Sequence, residues 1–338
     1  MYAQLFLILL LGCTPVSEKM GLSEVQEFIR KGSSQAVPIT SVLSQEMIAK
    51  IDSLLLGKLT LDAAVQIALL NNPSIQVIYK DLDIAYADVI QAGMLENPTL
   101  NATVLYSEEG TGQHTEFSIE QNVLDILLLP LRKKLAREEY NQVKLQVGDA
   151  VLEIINETKT AFFILQANQQ LTALQKDVLR AAEAAEELAA RQFEAGNINT
   201  LDLASHQAAL HDAKLEWMRN EAELFSNREN LRKLLGLTGA GPNLNIEADL
   251  SKLPFSDPEL SNVIRTAFAQ RLDLAAAQQE LVILKKALFL ARTEAVPDIS
   301  GSMVKESSPD ENPHVGPGIE LDIPLFDRGQ ANVARLKA

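Results

Sequence analysis

The chain has 338 residues, 47 % of them apolar and only 5 % aromatic, enough for one large or two ordinary domains around an aliphatic core. A formal charge of −15 and a pI near 4.8, with no basic patch or stripe legible along the sequence, exclude a phosphate-backbone partner such as nucleic acid.

The single cysteine, Cys13, follows the apolar run Leu5 to Leu11 and Gly12. Leu10-Leu11-Gly12-Cys13 looks like a bacterial lipobox: residues 1–12 as a signal peptide, cut before a cysteine that is then acylated. Met1-Tyr2-Ala3-Gln4 lacks the usual positive charge. The run is too short to cross a membrane as a helix, and no later stretch reaches that length without charges. Residues 13–57 read as a lipid-anchored extended arm, broken at Lys31-Gly32-Ser33-Ser34, with one short helix near Ser44 to Leu55.

A helical pattern starts at Thr60 (Leu61, Ala64, Val65, Ala68, Leu69) and pauses at Asn71-Asn72-Pro73. Asn72 suits a cap and Pro73 a first turn, so a second helix is predicted to run to about Leu95, ahead of Asn97-Pro98. The period then becomes two. Leu100, Ala102, Val104 and Tyr106 share one face, and Phe117, Ile119 and Val123 alternate with Ser118, Glu120 and Asn122 across a polar turn at Ser107 to Gln113. Amphipathic strands of this length suit a half-buried sheet or a transmembrane barrel.

From Leu131 to Gly236 the pattern is that of two very long helices, broken once at Gly196-Asn197-Ile198-Asn199. The outgoing arm spaces Val147, Val151, Ile154, Thr158, Ala161 and Leu165, then Leu171, Leu174, Val178, Ala181, Ala185 and Leu188, by threes and fours. The return arm carries Leu203, Leu210, Trp217, Leu224 and Leu231, and a second seam at Leu201, Ala208, Leu215 and Ala222. Two seams imply neighbours on two sides, as in a closed ring of helices. Gly236 marks the stop. Gly236 to Gly241 follows a helix and lacks a phosphate loop's spacing and lysine, so it reads as a turn.

Ser256-Asp257-Pro258-Glu259 has capping-box spacing and opens a further helix. Aligning Pro98 with Pro297 pairs Leu61 with Leu260, Ala68 with Ala267, Leu82 with Leu281, Ile84 with Ile283 and Ala92 with Ala291. Ile299, Gly301 and Met303, then Ile319, Leu321 and Ile323, repeat the strand pattern, so the order of elements recurs and a duplication is predicted. Residues 58–249 form the first copy and 250–338 the second. The second reaches Ala338 where its long helix is due, and about a hundred residues of a second hairpin are expected beyond it. The outgoing arm is about 97 Å long and the return arm about 55 Å. The helix from Pro73 is predicted to stack on the return arm and cover the difference.

Leu59-Thr60-Leu61-Asp62, Ala68-Leu69, Asn71-Asn72-Pro73, Asn97-Pro98-Thr99-Leu100, Phe193-Glu194-Ala195-Gly196 through Leu201-Asp202-Leu203, and Ile323-Pro324-Leu325-Phe326-Asp327 with Gly329 carry a resemblance to the TolC-like outer-membrane efflux proteins. The lipobox-like start is similar to their lipoprotein branch of metal-cation and drug exporters. Arg271-Leu272 departs from the family's Asn/Arg-Pro. The resemblance implies a mainly helical fold with a β-barrel portion. In it a homotrimer gives four strands per subunit to one barrel in outer-membrane lipid, and a periplasmic tunnel meets an adaptor protein and an inner-membrane pump. It implies passive conduction and no cofactor.

If the apolar strand positions, including Ile323, face lipid, then Asn101, Glu120, Asn122, Glu320 and Asp322 face the lumen, where carboxylates concentrate cations; the alternative is the wet face of an ordinary sheet. The tip Gly196, Asn197, Ile198, Asn199, Thr200, Leu201 and Asp202 reverses the chain. In the resembling family it also docks the adaptor and closes the aperture. His114, His206, His211 and His314 lack metal-ligand spacing and read as solvated, and no nucleophile or acid–base constellation supports an enzyme. A periplasmic coiled-coil adaptor or scaffold is the alternative function.

Overall fold

The structure, a computed structural model, describes residues 21–33, 45–106, 112–237, 244–247, 257–308 and 312–338; Cys13 and Ser256 lie outside them. In chain order the described elements are helices α1 (Leu22–Ser33), α2 (Gln45–Leu55), α3 (Leu61–Asn71) and α4 (Pro73–Gln91), then strands β1 (Thr99–Tyr106) and β2 (Gln113–Asn122). They continue with α5 (Val123–Glu194), α6 (Thr200–Leu234), α7 (Leu260–Gln270), α8 (Leu272–Thr293), β3 (Asp298–Ser307), β4 (His314–Asp322) and α9 (Gln330–Lys337). Among the described residues no helix is long and apolar enough to cross a membrane.

Element bounds recur at the spacing on which the predicted duplication rests. Shifting α3 by 199 residues gives α7, and shifting Thr99 gives Asp298, where β3 begins. Asn72 and Arg271, which end α3 and α7, have the same backbone, φ −68° and ψ 118° against φ −67° and ψ 114°. The arm departs from expectation, since α1 precedes the one helix foreseen there; Val25 and Ile29, four apart, are fully buried and carry it. The α7 start differs too. Glu259 is its N-cap, but its carboxylate bonds no backbone N–H of the first turn and accepts instead from the side chains of Ser261, Oγ at 2.7 Å, and Asn262, Nδ2 at 3.1 Å.

The chain divides into two compact units, and α4 and α5 contribute to both. One comprises Met1–Leu22, Asp81–Gln146 and Leu272–Ala338, the other Ser23–Lys80 and Val147–Arg271. In the latter, α3, α5, the end of α6 and the segment at Leu244–Ile246 enclose Leu59, Ile67, Phe162, Leu165, Leu231 and Leu235, all at most 2 % exposed. Each such side chain contributes about 1.5–3 kcal/mol by burial. Leu59 bridges to the strand-like segment, its N–H donating to Asn245 O at 2.7 Å and its carbonyl accepting from Glu247 N at 3.0 Å.

The predicted seam is buried from Val147 through Val151, Ile154, Thr158, Ala161 and Leu165. Beyond that it leaves the interior. Leu171, Leu174, Val178 and Leu188 are exposed, while the buried line continues through Thr172, Leu179 and Ala189. The expected step from Leu165 to Leu171 is six residues, about 600° of helical turn, and it crosses from one apolar stripe to another. On α6 the stripe from Leu203 to Leu231 lies inward, and Leu201 and Leu215 are exposed. Each arm therefore keeps a second apolar stripe uncovered.

The other unit holds the sheet. It is antiparallel throughout in the order β1-β2-β3-β4, with Leu100 opposite Ile119, Ile119 opposite Met303 and Gly301 opposite Ile319. Val123, expected to continue β2, opens α5 instead. Asn122 Oδ1 accepts from Asp125 N at 2.8 Å and starts the helix eight residues before Leu131. Alongside α5 lies α8: Glu138 pairs with Lys286 Nζ and accepts from Gln279 Nε2 at 2.7 Å.

Candidate functional site

Strand register assigns each side chain of the sheet to one of two faces, largely by polarity, with Leu105 and Val304 the apolar residues on the polar side. Residues directly opposite in neighbouring strands share a face, so Thr99, Asn101, Glu116, Glu120, Asn122, Asp298, Ser300, Glu306, Glu320 and Asp322 lie on one side. Leu100, Ala102, Val104, Phe117, Ile119, Ile299, Met303, Val315, Ile319 and Leu321 lie on the other. All five polar positions expected to act together do share a face. Ile323 does not extend the apolar set as a strand residue, because β4 ends at Asp322 and Pro324 follows.

The polar face is more acidic than expected. Glu116, Asp298 and Glu306 join Glu120, Glu320 and Asp322, and among the strand residues of that face there is no lysine or arginine. Glu116 stands opposite Glu306 and Asp298 opposite Asp322, like-charge pairs that oppose folding unless cations screen them. Of the histidines, His206, His211 and His314 are exposed as expected, but His114 is not simply solvated: its Nε2 lies 3.2 Å from Glu306 Oε1. The apolar face carries one charge, Lys305.

Where the strands meet α5, Asn122 Nδ2 donates to both carboxylate oxygens of Asp298, at 2.8 and 2.7 Å. Buried Asp125 pairs with Arg132, which also reaches Glu294 at 3.5 Å and whose guanidinium is held even more firmly protonated by Asp125. Hydrogen bonds from Lys286 and then Gln279 bring Glu138 down to about 2, whereas burial, then Asp88, raises Glu139 above its ordinary range. This network fixes the polar face against the first turns of α5.

The hairpin tip is built by two complementary caps. Gly196 adopts φ 75°, with its N–H bonding Phe193 O at 2.9 Å and Asn197 N bonding Gln192 O at 2.8 Å, a Schellman ending of α5. Asn199 then caps α6 reciprocally with Asp202: Asp202 N donates to Asn199 Oδ1 at 2.9 Å and Asn199 N to Asp202 Oδ2 at 3.5 Å. The predicted tip residues are thus together, with Ile198 half-buried and Leu201 77 % exposed beside them. Asp202 has a structural duty as well as an exposed charge.

The opposite end of α6 meets the start of α4. Asn71 Nδ2 donates to the carbonyls of Leu235 and Gly236, and Asn72 Nδ2 to that of Leu234, all at 2.9 Å, while Asn72 Oδ1 accepts from Ser74 N at 2.8 Å. One helix's free carbonyls and the next one's free N–H are satisfied by two adjacent amides.

This arrangement has known relatives. The profile of the outer membrane efflux protein family matches residues 64–237, just over half of the chain. The chain belongs to the outer membrane efflux protein family. It is 26 % identical over 285 residues to the cobalt-zinc-cadmium resistance protein CzcC of Cupriavidus metallidurans, covering 82 % of this chain and 66 % of the relative, so the chain spans just under two thirds of that protein's length. Its fold is similar to that of CusC, with TM-score 0.63 at 17 % identity over 82 % of this chain and 68 % of that one. The Campylobacter jejuni CmeC outer membrane channel gives TM-score 0.63 at 15 % identity over 92 % and 70 %. The four strands and helical hairpin therefore belong to an α/β channel fold.

Proposed function

We propose that this chain is the outer-membrane component of a tripartite efflux system, a passive conduit for exported small molecules or metal cations. Family membership supports the conduit over the adaptor or scaffold, and the relative's role in cobalt, zinc and cadmium resistance favours metal cations among the cargoes. The observation that carries the reading is the sorting of charge across the sheet: all six strand carboxylates lie on one face, and the other is mainly apolar with Lys305 as its one charge. A four-stranded sheet of this kind cannot close alone. Three copies supply twelve strands with lipid outside and a water-filled, cation-preferring lumen inside. The uncovered stripes of Leu171, Leu174, Val178 and Leu188 on α5, and of Leu201 and Leu215 on α6, are the surfaces on which neighbouring copies would close a periplasmic helical tunnel. Acylated Cys13 adds an anchor in the outer membrane. The tip at Gly196 to Asp202 meets the adaptor that connects to the inner-membrane pump.

The test is the reversal potential of single channels in a planar bilayer under a KCl gradient. The expected sign is cation-selective, and it moves toward zero in the variant E116Q/E120Q/E306Q/E320Q. Anion selectivity in the unaltered protein would sink the lumen assignment.

A further inference from the structure

The apolar face of the sheet does not stop where the strands do. A Cβ built on Gly301, an apolar-face position, would lie 3.6 Å from Val123 Cγ2, so the first residue of α5 continues that face. On the helix Val123, Ile126, Leu127 and Pro130 follow at steps of three, one and three, all exposed, while Asp125, Leu128 and Arg132 on the opposite side pack inward against the junction. The same stripe then turns basic. Lys133, Lys134 and Arg137 are exposed along it, in a chain of net charge −15. Arg132 is committed to Asp125 and Glu294, and the following Glu138 to Lys286, so neither belongs to this group. Short, and followed at once by Glu138-Glu139, this group does not stand out as a basic patch in the sequence.

The second copy repeats the order. After β4, Ile323, Leu325 and Phe326 are exposed, Phe326 at 91 %, and Arg328, Arg335 and Lys337 follow, all exposed. Dimensions agree. Val315 to Leu321 of β4 spans about 20 Å along the strand, or about 15 Å of depth at a barrel's tilt, against an apolar band of about 25 Å. From Val123 to Pro130 the helix adds about 10 Å.

We propose that the start of α5 is immersed in the membrane and that Lys133, Lys134 and Arg137, with their second-copy counterparts, form a collar that binds anionic phospholipid headgroups at the periplasmic boundary. The occupant is argued from continuity with the apolar sheet face and from charge complementarity. It rests on the reading of that face as lipid-facing.

Spin-labelled phosphatidylglycerol and phosphatidylethanolamine, added to the protein reconstituted in vesicles of unlabelled phosphatidylethanolamine, distinguish the possibilities. The expected result is that the protein immobilises both, preferring phosphatidylglycerol by about fivefold at low salt, the ratio of one surface cation contact. The preference is lost in high salt and falls in K133Q/K134Q/R137Q, which leaves the second-copy cations in place, but is kept in K176Q/K214Q, which removes exposed charges elsewhere. Equal selectivity before and after the triple substitution overturns the collar while leaving the lipid-facing sheet intact. A change in oligomeric state with unchanged lipid selectivity also overturns it, making the stripe a contact between copies. Failure to immobilise either lipid overturns the lipid-facing sheet and the collar with it.

Discussion

Two glycines with nearly the same positive φ make different demands on their surroundings. Gly196 at the tip has φ 75° and nothing within 4 Å of where a Cβ would be; Gly236 at the end of α6 has φ 67°, and its Cβ would fall 2.3 Å from Asn71 O and 2.8 Å from Asn71 C. Gly196→Ala therefore meets only the left-handed strain, about 1 kcal/mol. Gly236→Ala meets that strain plus a collision with backbone that cannot rotate away. Relief requires Asn71 and the α6 end to part by most of an ångström, which breaks the two bonds from Asn71 Nδ2 to Leu235 O and Gly236 O. Overpacking of this kind costs about 1–3 kcal/mol and the two bonds about 1 kcal/mol each, so with the backbone strain the total is about 4–6 kcal/mol. Hydrogen exchange followed by mass spectrometry checks it. In Gly236→Ala, peptides covering Leu231–Leu237 and Leu61–Asn72 should lose protection by two orders of magnitude or more, whereas in Gly196→Ala the tip peptide should change by less than tenfold. Equal, small effects at both positions would refute the claim that proximity to Asn71, and not positive φ alone, requires glycine at 236.

Asn72→Ala should destabilise the same region by about 2–3 kcal/mol, because Ser74 N loses its cap and Leu234 O its donor. Asn72→Asp should recover the Ser74 contact and show an intermediate loss in the same exchange measurement. Glu138 has its folded pKa depressed from 4.5 to about 2, so its contribution is present above the unfolded value and disappears as pH falls from about 4.5 toward 2. The full shift corresponds to about 3 kcal/mol, which solvent screening of a side chain 23 % exposed reduces to about 1–2 kcal/mol. Acid titration of peptides 132–146 should show that loss, and Glu138→Gln should remove the step. At the tip, Asp202→Asn keeps an acceptor for the cap while deleting the charge, and Asp202→Lys loses both. Adaptor crosslinking that falls equally in the two variants assigns the effect to charge, and a fall only in Asp202→Lys assigns it to fraying of about 1 kcal/mol at the start of α6.

The duplication and the tip were legible because they depend on backbone chemistry that few residues supply. Asn72-Pro73 announces a helix end and a new start, and Gly196 with Asn199 announces a reversal. The packed seam was legible only as far as Leu165. Beyond it α5 carries two apolar stripes, and residue spacing cannot say which belongs to the chain's own interior and which awaits a neighbour. The strand–helix junction was hidden for another reason. Val123 is β-branched and of the correct parity for β2, but the side chain of Asn122 bonds Asp125 N and converts the next residue into the first of a helix. The acidic excess of the polar face was partly hidden because Glu116 and Glu306 lie 190 residues apart in sequence and come opposite only through the pairing of β2 with β3.

The break between α3 and α4 recurs between α7 and α8 with different residues, and this separates what the repeat requires from what the site requires. Both breaks end an eleven-residue helix, Asn72 N donating to Ala68 O and Arg271 N to Ala267 O at 2.9 Å each, and both turn at nearly identical dihedrals. Proline follows in the first copy and leucine in the second, so the fold tolerates either where extended geometry at the preceding residue already permits proline. The paired asparagines are a different matter. Their amides are occupied by carbonyls at the end of α6, and an arginine at position 72 could supply a donor but no acceptor for Ser74 N. Asparagine at 72 is therefore specified by the returning arm of the hairpin and not by the helix break.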